Sequence, residues 1–274
     1  MKKIDLAANQ PLTKQGADAR WPDWLFAALV PAAAALLGGV AYRAISTMLV
    51  GEFAAFWQDI WLQLLLLIFT GSVFAIGALR LTPNRRIVLL ATALALFLLL
   101  VVALPLRNTP FAIDGFGGDQ RLYTAYVTKF AALPGNVDVI YPNLPAFYPP
   151  LYFWALGHLA AWLGIEAYAM LKLGMLATVA LLPLIMALLW RPLLPGWLAG
   201  AAVFVLLIEQ NLHKPAEWYT MILFVPWWLY FVINIGGRSL AGRRGRLRWL
   251  LGGGLLGAFL FQSYYYWFFI GLLS

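Results

Sequence analysis

Long apolar stretches separated by short polar connectors dominate the pattern of this 274-residue chain. A membrane-spanning helix needs about 20 mainly apolar residues, and seven stretches reach or approach that length. We therefore predict seven spans, at residues 24–42, 60–79, 87–106, 168–190, 197–211, 219–235 and 249–272. An eighth apolar stretch, at residues 148–165, is short and contains Pro149 and Pro150 near its start.

Composition supports the same class of protein. Apolar residues make up 63% of the chain and charged residues 11%, whereas an ordinary soluble domain is about 45–50% apolar and about 25% charged. A water-soluble enzyme is therefore excluded. The predicted fold class is all-α: a polytopic membrane helical bundle with about seven spans plus an interfacial or re-entrant helix. The absence of cysteine excludes disulfides and thiolate metal sites, and two histidines cannot form a histidine metal cluster.

The basic residues indicate which connectors face the cytoplasm, because cytoplasmic loops accumulate Lys and Arg. The most basic connectors, 80–86 and 236–248, share the cytoplasmic side only if residues 148–165 do not cross the membrane. Thirteen basic residues then lie inside and six outside, whereas eight crossings would give nine and ten. We therefore predict a multi-pass protein of the cell membrane with a cytoplasmic N-terminus. The net charge of +8 is then a topology signal, and no nucleic-acid partner is expected.

This topology divides the chain into four parts. Residues 1–21 form a cytoplasmic tail, and residues 22–106 form three transmembrane helices. Residues 107–167 form an extracytoplasmic loop with an amphipathic helix and the re-entrant helix, and residues 168–274 form four more spans. The amphipathic helix is predicted to lie on the membrane, since its apolar residues recur at helical spacing: Leu122, Tyr123, Tyr126, Val127 and Phe130.

Two aspartates, Asp114 and Asp119, bracket a glycine-rich bend in this loop. Glycines permit unusual backbone angles and the close approach of a ligand. One interpretation makes Asp119 the N-cap of the amphipathic helix, a common position for aspartate. The other makes Asp119 a general base held at the membrane surface. The two carboxylates cooperate only if the bend folds them together.

A second polar cluster occupies the predicted outer turn at residues 209–219. Lys214 and His213 are candidate phosphate ligands, because both can act as cationic donors. The alternative is a solvated loop in which Lys214 pairs with Glu217. Both interpretations remain open from the residues alone.

Two further residues have a structural and a functional interpretation. Lys172, near the outer end of its span, either binds a phosphate or extends to the interface beside Glu166. Tyr148 precedes two prolines, which fix the geometry of a helix entrance. It either belongs to that rigid entrance or additionally lines a site.

The order of these features resembles the GT-C membrane glycosyltransferases. An aspartate-bearing outer loop is followed by an amphipathic helix, a Tyr-Pro-Pro-Leu helix entrance and a bundle of spans. From about residue 87 onward, the chain is similar to the N-terminal region of the arabinofuranosyltransferase AftA family. The segments that carry this similarity are 117–120 (GGDQ), 123–128 (YTAYVT), 144–154 (LPAFYPPLYFW), 164–168 (GIEAY) and 214–219 (KPAEWY).

The resemblance implies an inverting glycosyltransferase that uses a polyprenyl-phosphate-linked sugar, arabinofuranose in that family, and a cell-wall or cell-surface polysaccharide acceptor. It assigns the acceptor-activating carboxylate to Asp119, with Asp114 as a second catalytic candidate. A divalent cation, magnesium or manganese, is an option beside Asp119, and no other cofactor is expected. The implied phosphate ligands are Lys214, His213, Arg121 and Lys172, and the implied site-lining residues are Gln120, Tyr123, Tyr148, Glu217 and Tyr219.

Enzymes of that family are much longer, with further spans and an extracytoplasmic C-terminal domain. The resemblance therefore predicts that the chain corresponds to the N-terminal portion of such an enzyme. Two other classes remain as alternatives. A lipid-carrier transporter or flippase needs a polar path across the bundle, whereas the polar groups here gather on the outer side. A non-catalytic membrane scaffold would give Asp119 a purely structural role.

Overall fold

The computed structural model describes residues 22–49, 54–113, 115, 117–136, 138–141, 143–145, 148–190 and 243–273. These residues form helices and no strand, which confirms the all-α class for this part of the chain. The predicted tail and the predicted spans 197–211 and 219–235 lie outside the described residues. The helices are α1 (Asp23–Met48), α2 (Ala54–Ala78), α3 (Pro83–Ala103), α4 (Gly118–Ala132), α5 (Leu151–Leu163), α6 (Ala167–Trp190) and α7 (Arg243–Leu273).

Four of the described helices are long and apolar enough to cross a bilayer: Asp23–Met48, Trp57–Ala78, Pro83–Ala103 and Ala167–Trp190. The 21 residues of α3 extend about 32 Å at the helical rise of about 1.5 Å per residue, close to the hydrocarbon thickness of about 30 Å. The 13 residues of α5 extend only about 20 Å. A helix of that length is too short to span, which agrees with the prediction that residues 148–165 do not cross.

The last described helix, α7, differs from these four. It is 31 residues long, but its helical geometry is interrupted at Tyr264, where φ is −165° and ψ is 94°. Polar and aromatic side chains, including Gln262 and Ser263, occupy the same region. They lower its apolar character below that of the four helices above, so the crossing of residues 249–272 stays a prediction.

Helix α3 is the centre of the bundle because it packs against α1, α2 and α6. Leu98 contributes to a buried cluster with Met175 of α6, and Leu100 contributes to another with Ile45 of α1. In the apolar 18-residue stretches of α3 and α6, 44% of the residues are buried, whereas in those of α1 and α2 only 6% are buried. The outer two helices therefore keep most of their apolar surface outside the core, as expected of helices that contact lipid.

Helices α4 and α5 form a second packing unit with the start of α6. Tyr126 and Phe130 of α4 are buried with Phe153 of α5 in one cluster. A Cβ at Gly157 would lie 2.6 Å from Phe130 Cβ and 2.8 Å from the amide nitrogen of Ala131, so the glycine permits this close approach. The predicted amphipathic helix is present, but the prediction that its apolar face lies on the membrane is wrong. Helices α5 and α6 cover that face, because their own aromatic and aliphatic side chains complement it.

Candidate active site at the start of helix α4

Helix α4 begins in the glycine-rich bend. Gly115 has φ 60° and Gly118 has φ 48°, a left-handed region that glycine enters without a Cβ penalty. The N-cap of α4 is Gly117, and Asp119 lies in the first turn. The N-cap interpretation of Asp119 is therefore wrong: the bend lets the helix begin before this residue, so that Asp119 is already helical.

Asp119 is exposed in that first turn. Negative side chains are favoured there by about 0.3–1 kcal/mol because they interact with the positive end of the helix dipole. The backbone position of Asp119 is fixed by the packing of α4 on α5. Asp114, the second predicted catalytic residue, lies outside the described residues.

The other predicted residues of α4 divide between its two faces. Arg121 is exposed, like Asp119, whereas Gln120 and Tyr123 are each 2% exposed. The structure therefore exposes both Asp119 and Arg121, but side chains two residues apart in a helix do not face each other, so it does not bring them onto one face. It places Gln120 and Tyr123 in the core, so their predicted role in lining a site is not supported by exposed surface.

Tyr148 is half-buried where the chain enters α5. Its hydroxyl oxygen lies 3.4 Å from that of Tyr123, and the two ring centroids are 5.9 Å apart. The ring of Tyr123 also stacks on Phe153 at 4.9 Å. These contacts make Tyr148 part of a rigid helix entrance, as the structural interpretation of the Tyr-Pro-Pro-Leu segment requires.

Lys172 of α6 holds the chain that follows α3. Its Nζ donates to the carbonyl oxygen of Leu106 at 2.7 Å and to that of Thr109 at 2.5 Å. An ammonium has three N–H donors, so one is left over from these two bonds. A phosphate would therefore be bound through that remaining donor or in place of a backbone carbonyl. The described contacts differ from the predicted extension toward Glu166.

Arg107 performs a similar task at the same end of α3, and no role was predicted for it. Its Nη1 donates to Gln58 Oε1 at 2.7 Å and to the carbonyl of Leu104 at 2.9 Å, and its Nη2 donates to the carbonyl of Leu49 at 3.2 Å. Cationic side chains are favoured at helix C-termini because they satisfy the last carbonyl groups. The position of Arg107 just after an apolar span was the signal available in the sequence.

Asp138, in the connection between α4 and α5, was also given no role and is 1% exposed. Its Oδ2 accepts a 2.8 Å hydrogen bond from the hydroxyl of Tyr126, and its Oδ1 accepts from the backbone N–H of Ile140 and Tyr141. Burial, together with the bond to Asp138, raises the pKa of Tyr126. The bond from the N–H of Ile140 forms an Asx turn, and the general preference of Asp for such turns was the signal available in the sequence.

The remaining predicted ligands, His213, Lys214, Glu217 and Tyr219, lie outside the described residues. Within the part of the chain that is described, no group of three or more His, Cys, Asp or Glu side chains is placed to hold a metal ion. The divalent cation beside Asp119 thus stays a prediction.

A cleft of about 490 Å³ lies at the opposite end of α3, between the starts of α1 and α3. Asp23 accepts a 3.0 Å hydrogen bond from Arg85 Nε, and the Arg85 guanidinium lies 5.2 Å from the ring centroid of Phe26. Since α4 follows the other end of α3, this cleft is separate from the candidate site.

Helices of bilayer length, and a surface-exposed carboxylate on a short helix beside them, define a polytopic helical membrane protein with a candidate site at one end of its bundle. A profile of the family described as "Arabinofuranosyltransferase N terminal" matches residues 25–270. The chain belongs to this family, which confirms the resemblance seen in the sequence.

Three curated relatives share the name galactan 5-O-arabinofuranosyltransferase. The chain is 28% identical to the Mycolicibacterium smegmatis protein over 185 residues, covering 67% of this chain and 28% of the relative. It is 26% identical to a Mycobacterium tuberculosis protein over 149 residues, covering 53% and 23%. It is 31% identical to the Corynebacterium glutamicum protein over 91 residues, covering 33% and 14%. The chain thus spans less than a third of the length of the relatives it matches.

Proposed function

We propose that the chain is the membrane-embedded part of an arabinofuranosyltransferase. It takes part in moving arabinofuranose from a polyprenyl-phosphate donor to a cell-wall or cell-surface glycan. Membership of the arabinofuranosyltransferase N-terminal family and the shared name of the relatives support the sugar and the reaction class. The predicted orientation places this reaction on the extracytoplasmic side.

The observation that carries the proposal is the exposed carboxylate of Asp119 in the first turn of α4. The buried aromatic face of α4 is fixed on α5 and α6, so this carboxylate has a defined position beside the membrane spans. A polyprenyl tail stays in the hydrocarbon while its phosphate remains at the surface. A base for such a donor must therefore lie at the end of the bundle, as Asp119 does.

In the proposed reaction, the Asp119 carboxylate accepts the proton of an acceptor hydroxyl as that oxygen attacks the anomeric carbon. The bond between the anomeric carbon and the phosphate oxygen breaks, and polyprenyl phosphate leaves with the electron pair. Attack opposite the leaving group inverts the anomeric centre. Cationic side chains stabilise the growing phosphate charge, and the proposed ligands are Lys214, His213, Arg121 and Lys172.

The proposal is tested with membranes from cells that express the complete enzyme of which this chain is the membrane-embedded part, compared with membranes from cells carrying the empty vector. Radiolabelled polyprenylphosphoryl arabinofuranose and a galactan acceptor should yield labelled glycan, whereas a water-soluble nucleotide sugar should not. Membranes containing the Mycolicibacterium smegmatis relative serve as the positive control. Incorporation no higher than with the empty vector, while that control is active, contradicts the proposal. Chelation by EDTA, followed by addition of magnesium or manganese, tests the divalent cation separately.

A further inference from the structure

The connection between α4 and α5 contains a closed turn at residues 138–144. Its backbone is joined by a 2.8 Å hydrogen bond from Asp138 N–H to the carbonyl of Leu144. Within the turn, Leu144 N–H donates to the carbonyl of Tyr141 at 3.3 Å, and Asn143 has φ 74°.

The Asp138 carboxylate fixes this turn from inside. One carboxylate oxygen accepts from the N–H groups of Ile140 and Tyr141 at 2.8 and 2.9 Å. The other accepts from the hydroxyl of Tyr126 on α4, and Lys129 of α4 donates to the Asp138 carbonyl. Because a buried carboxylate is costly unless its hydrogen bonds are retained, the turn is held in one conformation against α4.

Three apolar side chains project from this fixed turn, and we name them the apolar tip: Ile140, Tyr141 and Leu144. They are 58%, 56% and 55% exposed, respectively. Since the backbone of the turn is held by Asp138, these side chains cannot reach the core by a simple rearrangement. Large apolar groups kept outside by a rigid backbone mark a contact surface.

The position of α5 indicates what this surface contacts. Only residues 164–166 separate the end of α5 from the membrane-spanning helix α6, and three residues reach at most about 11 Å. Helix α5 runs back along α6, since the hydroxyl of Tyr152 lies 3.4 Å from Thr178 Oγ1, so the start of α5 also lies beside the membrane-spanning helix. The α4 end of the connection is attached to α5 by a hydrogen bond from Trp154 Nε1 to the carbonyl of Pro134.

We propose that the apolar tip inserts into the leaflet next to α4 and α5, so that lipid at the boundary of headgroups and hydrocarbon is its partner. Tyr141 suits that boundary because its ring is apolar and its hydroxyl is polar. Asp138 holds the tip in the conformation that inserts. The contact fixes the connection of α4 to the bilayer and is independent of any sugar transfer.

The chain contains no cysteine, so single cysteines can be introduced into the otherwise intact protein. Ile140→Cys, Tyr141→Cys and Leu144→Cys are each spin-labelled in liposomes, and collisions with oxygen and with a water-soluble nickel chelate are measured. Thr128→Cys, exposed on α4, is the matched control. The tip labels should show an oxygen-to-nickel collision ratio several-fold above that of the Thr128 label. A ratio equal to the control overturns the proposal, and so does shielding from both reagents, which would indicate protein in place of lipid.

A second variant tests the role of Asp138. Asp138→Asn preserves the size of the side chain but removes its charge, so it should loosen the turn. With the label at Tyr141→Cys, this substitution should increase label mobility and bring the oxygen-to-nickel ratio toward the control value. An unchanged ratio and an unchanged mobility in folded protein would show that Asp138 does not hold the tip.

Discussion

Replacing Gly157 by alanine tests the contact that positions the candidate site. The added Cβ would lie 2.6 Å from Phe130 Cβ and 2.8 Å from both the Ala131 nitrogen and the Phe130 carbonyl carbon. Two of these three atoms belong to the backbone of α4 and cannot rotate away. Helices α4 and α5 must therefore move apart, and Asp119 moves with α4.

The expected cost follows from two opposing effects. Overpacking of a close contact costs about 1–3 kcal/mol, and alanine in place of a helical glycine returns up to about 1 kcal/mol. We therefore expect a net loss of about 1–2 kcal/mol in the free energy of unfolding. At about 2–4 °C per kcal/mol for a domain of this size, the apparent Tm should fall by about 2–8 °C.

The assay is thermal unfolding of purified protein in detergent, followed by the loss of monodisperse protein on size exclusion. Two glycine variants provide a graded control. Gly39→Ala places a Cβ with no atom within 4 Å and should leave Tm unchanged or slightly raised. Gly174→Ala meets chiefly the flexible side chain of Leu156 at 2.6 Å and should have an intermediate effect. If Gly157→Ala is as stable as Gly39→Ala, the described packing of α4 on α5 is wrong.

Two other substitutions test the hydrogen bonds around the site. The pKa of Tyr126 is raised by burial and by Asp138, so above pH about 10 the unfolded chain releases a proton that the folded chain retains, and stability falls as pH rises. Tyr126→Phe should make the alkaline loss of stability smaller in thermal unfolding measured from pH 8 to 11, and an unchanged slope would contradict this. The loss due to Tyr152, whose pKa burial also raises, should remain. Lys172→Met breaks two charged hydrogen bonds to backbone carbonyls. The free energy of unfolding should fall by at most about 1.5–3 kcal/mol for each bond. Weaker binding of the sugar donor with an unchanged Tm would instead favour the phosphate role of Lys172.

The membrane class and several helices could be predicted from the sequence because hydrocarbon imposes a simple length requirement. The predicted spans 24–42, 60–79, 87–106 and 168–190 each coincide with a described apolar helix. The helical spacing of Tyr123, Tyr126 and the residues around them likewise predicted α4. The partner of its apolar face was not predictable, because periodicity shows that a face is buried and does not show whether lipid or protein buries it.

The site was less predictable, since it depends on tertiary contacts. Asp119 was found through its glycine-rich context, but its place relative to the helix start depended on the left-handed conformation of Gly118. Lys172 carries a charge that suits phosphate, yet its described partners are carbonyl groups more than 60 residues away in sequence. Asp138 appeared to be one acid among several, because only the fold brings Tyr126 to its carboxylate. Long-range hydrogen bonds of this kind leave little trace in a single sequence.

The central claim, that the Asp119 carboxylate is the base of a lipid-linked sugar transfer, is tested most directly by Asp119→Asn. The substitution keeps the shape of an exposed side chain, so expression and Tm should be nearly unchanged. Transfer from polyprenylphosphoryl arabinofuranose should fall about 10²–10⁴-fold, the usual contribution of a general base. Glu166→Gln removes another exposed carboxylate and should retain transfer near the unmodified level. Full activity of Asp119→Asn in this assay would contradict the role assigned to Asp119.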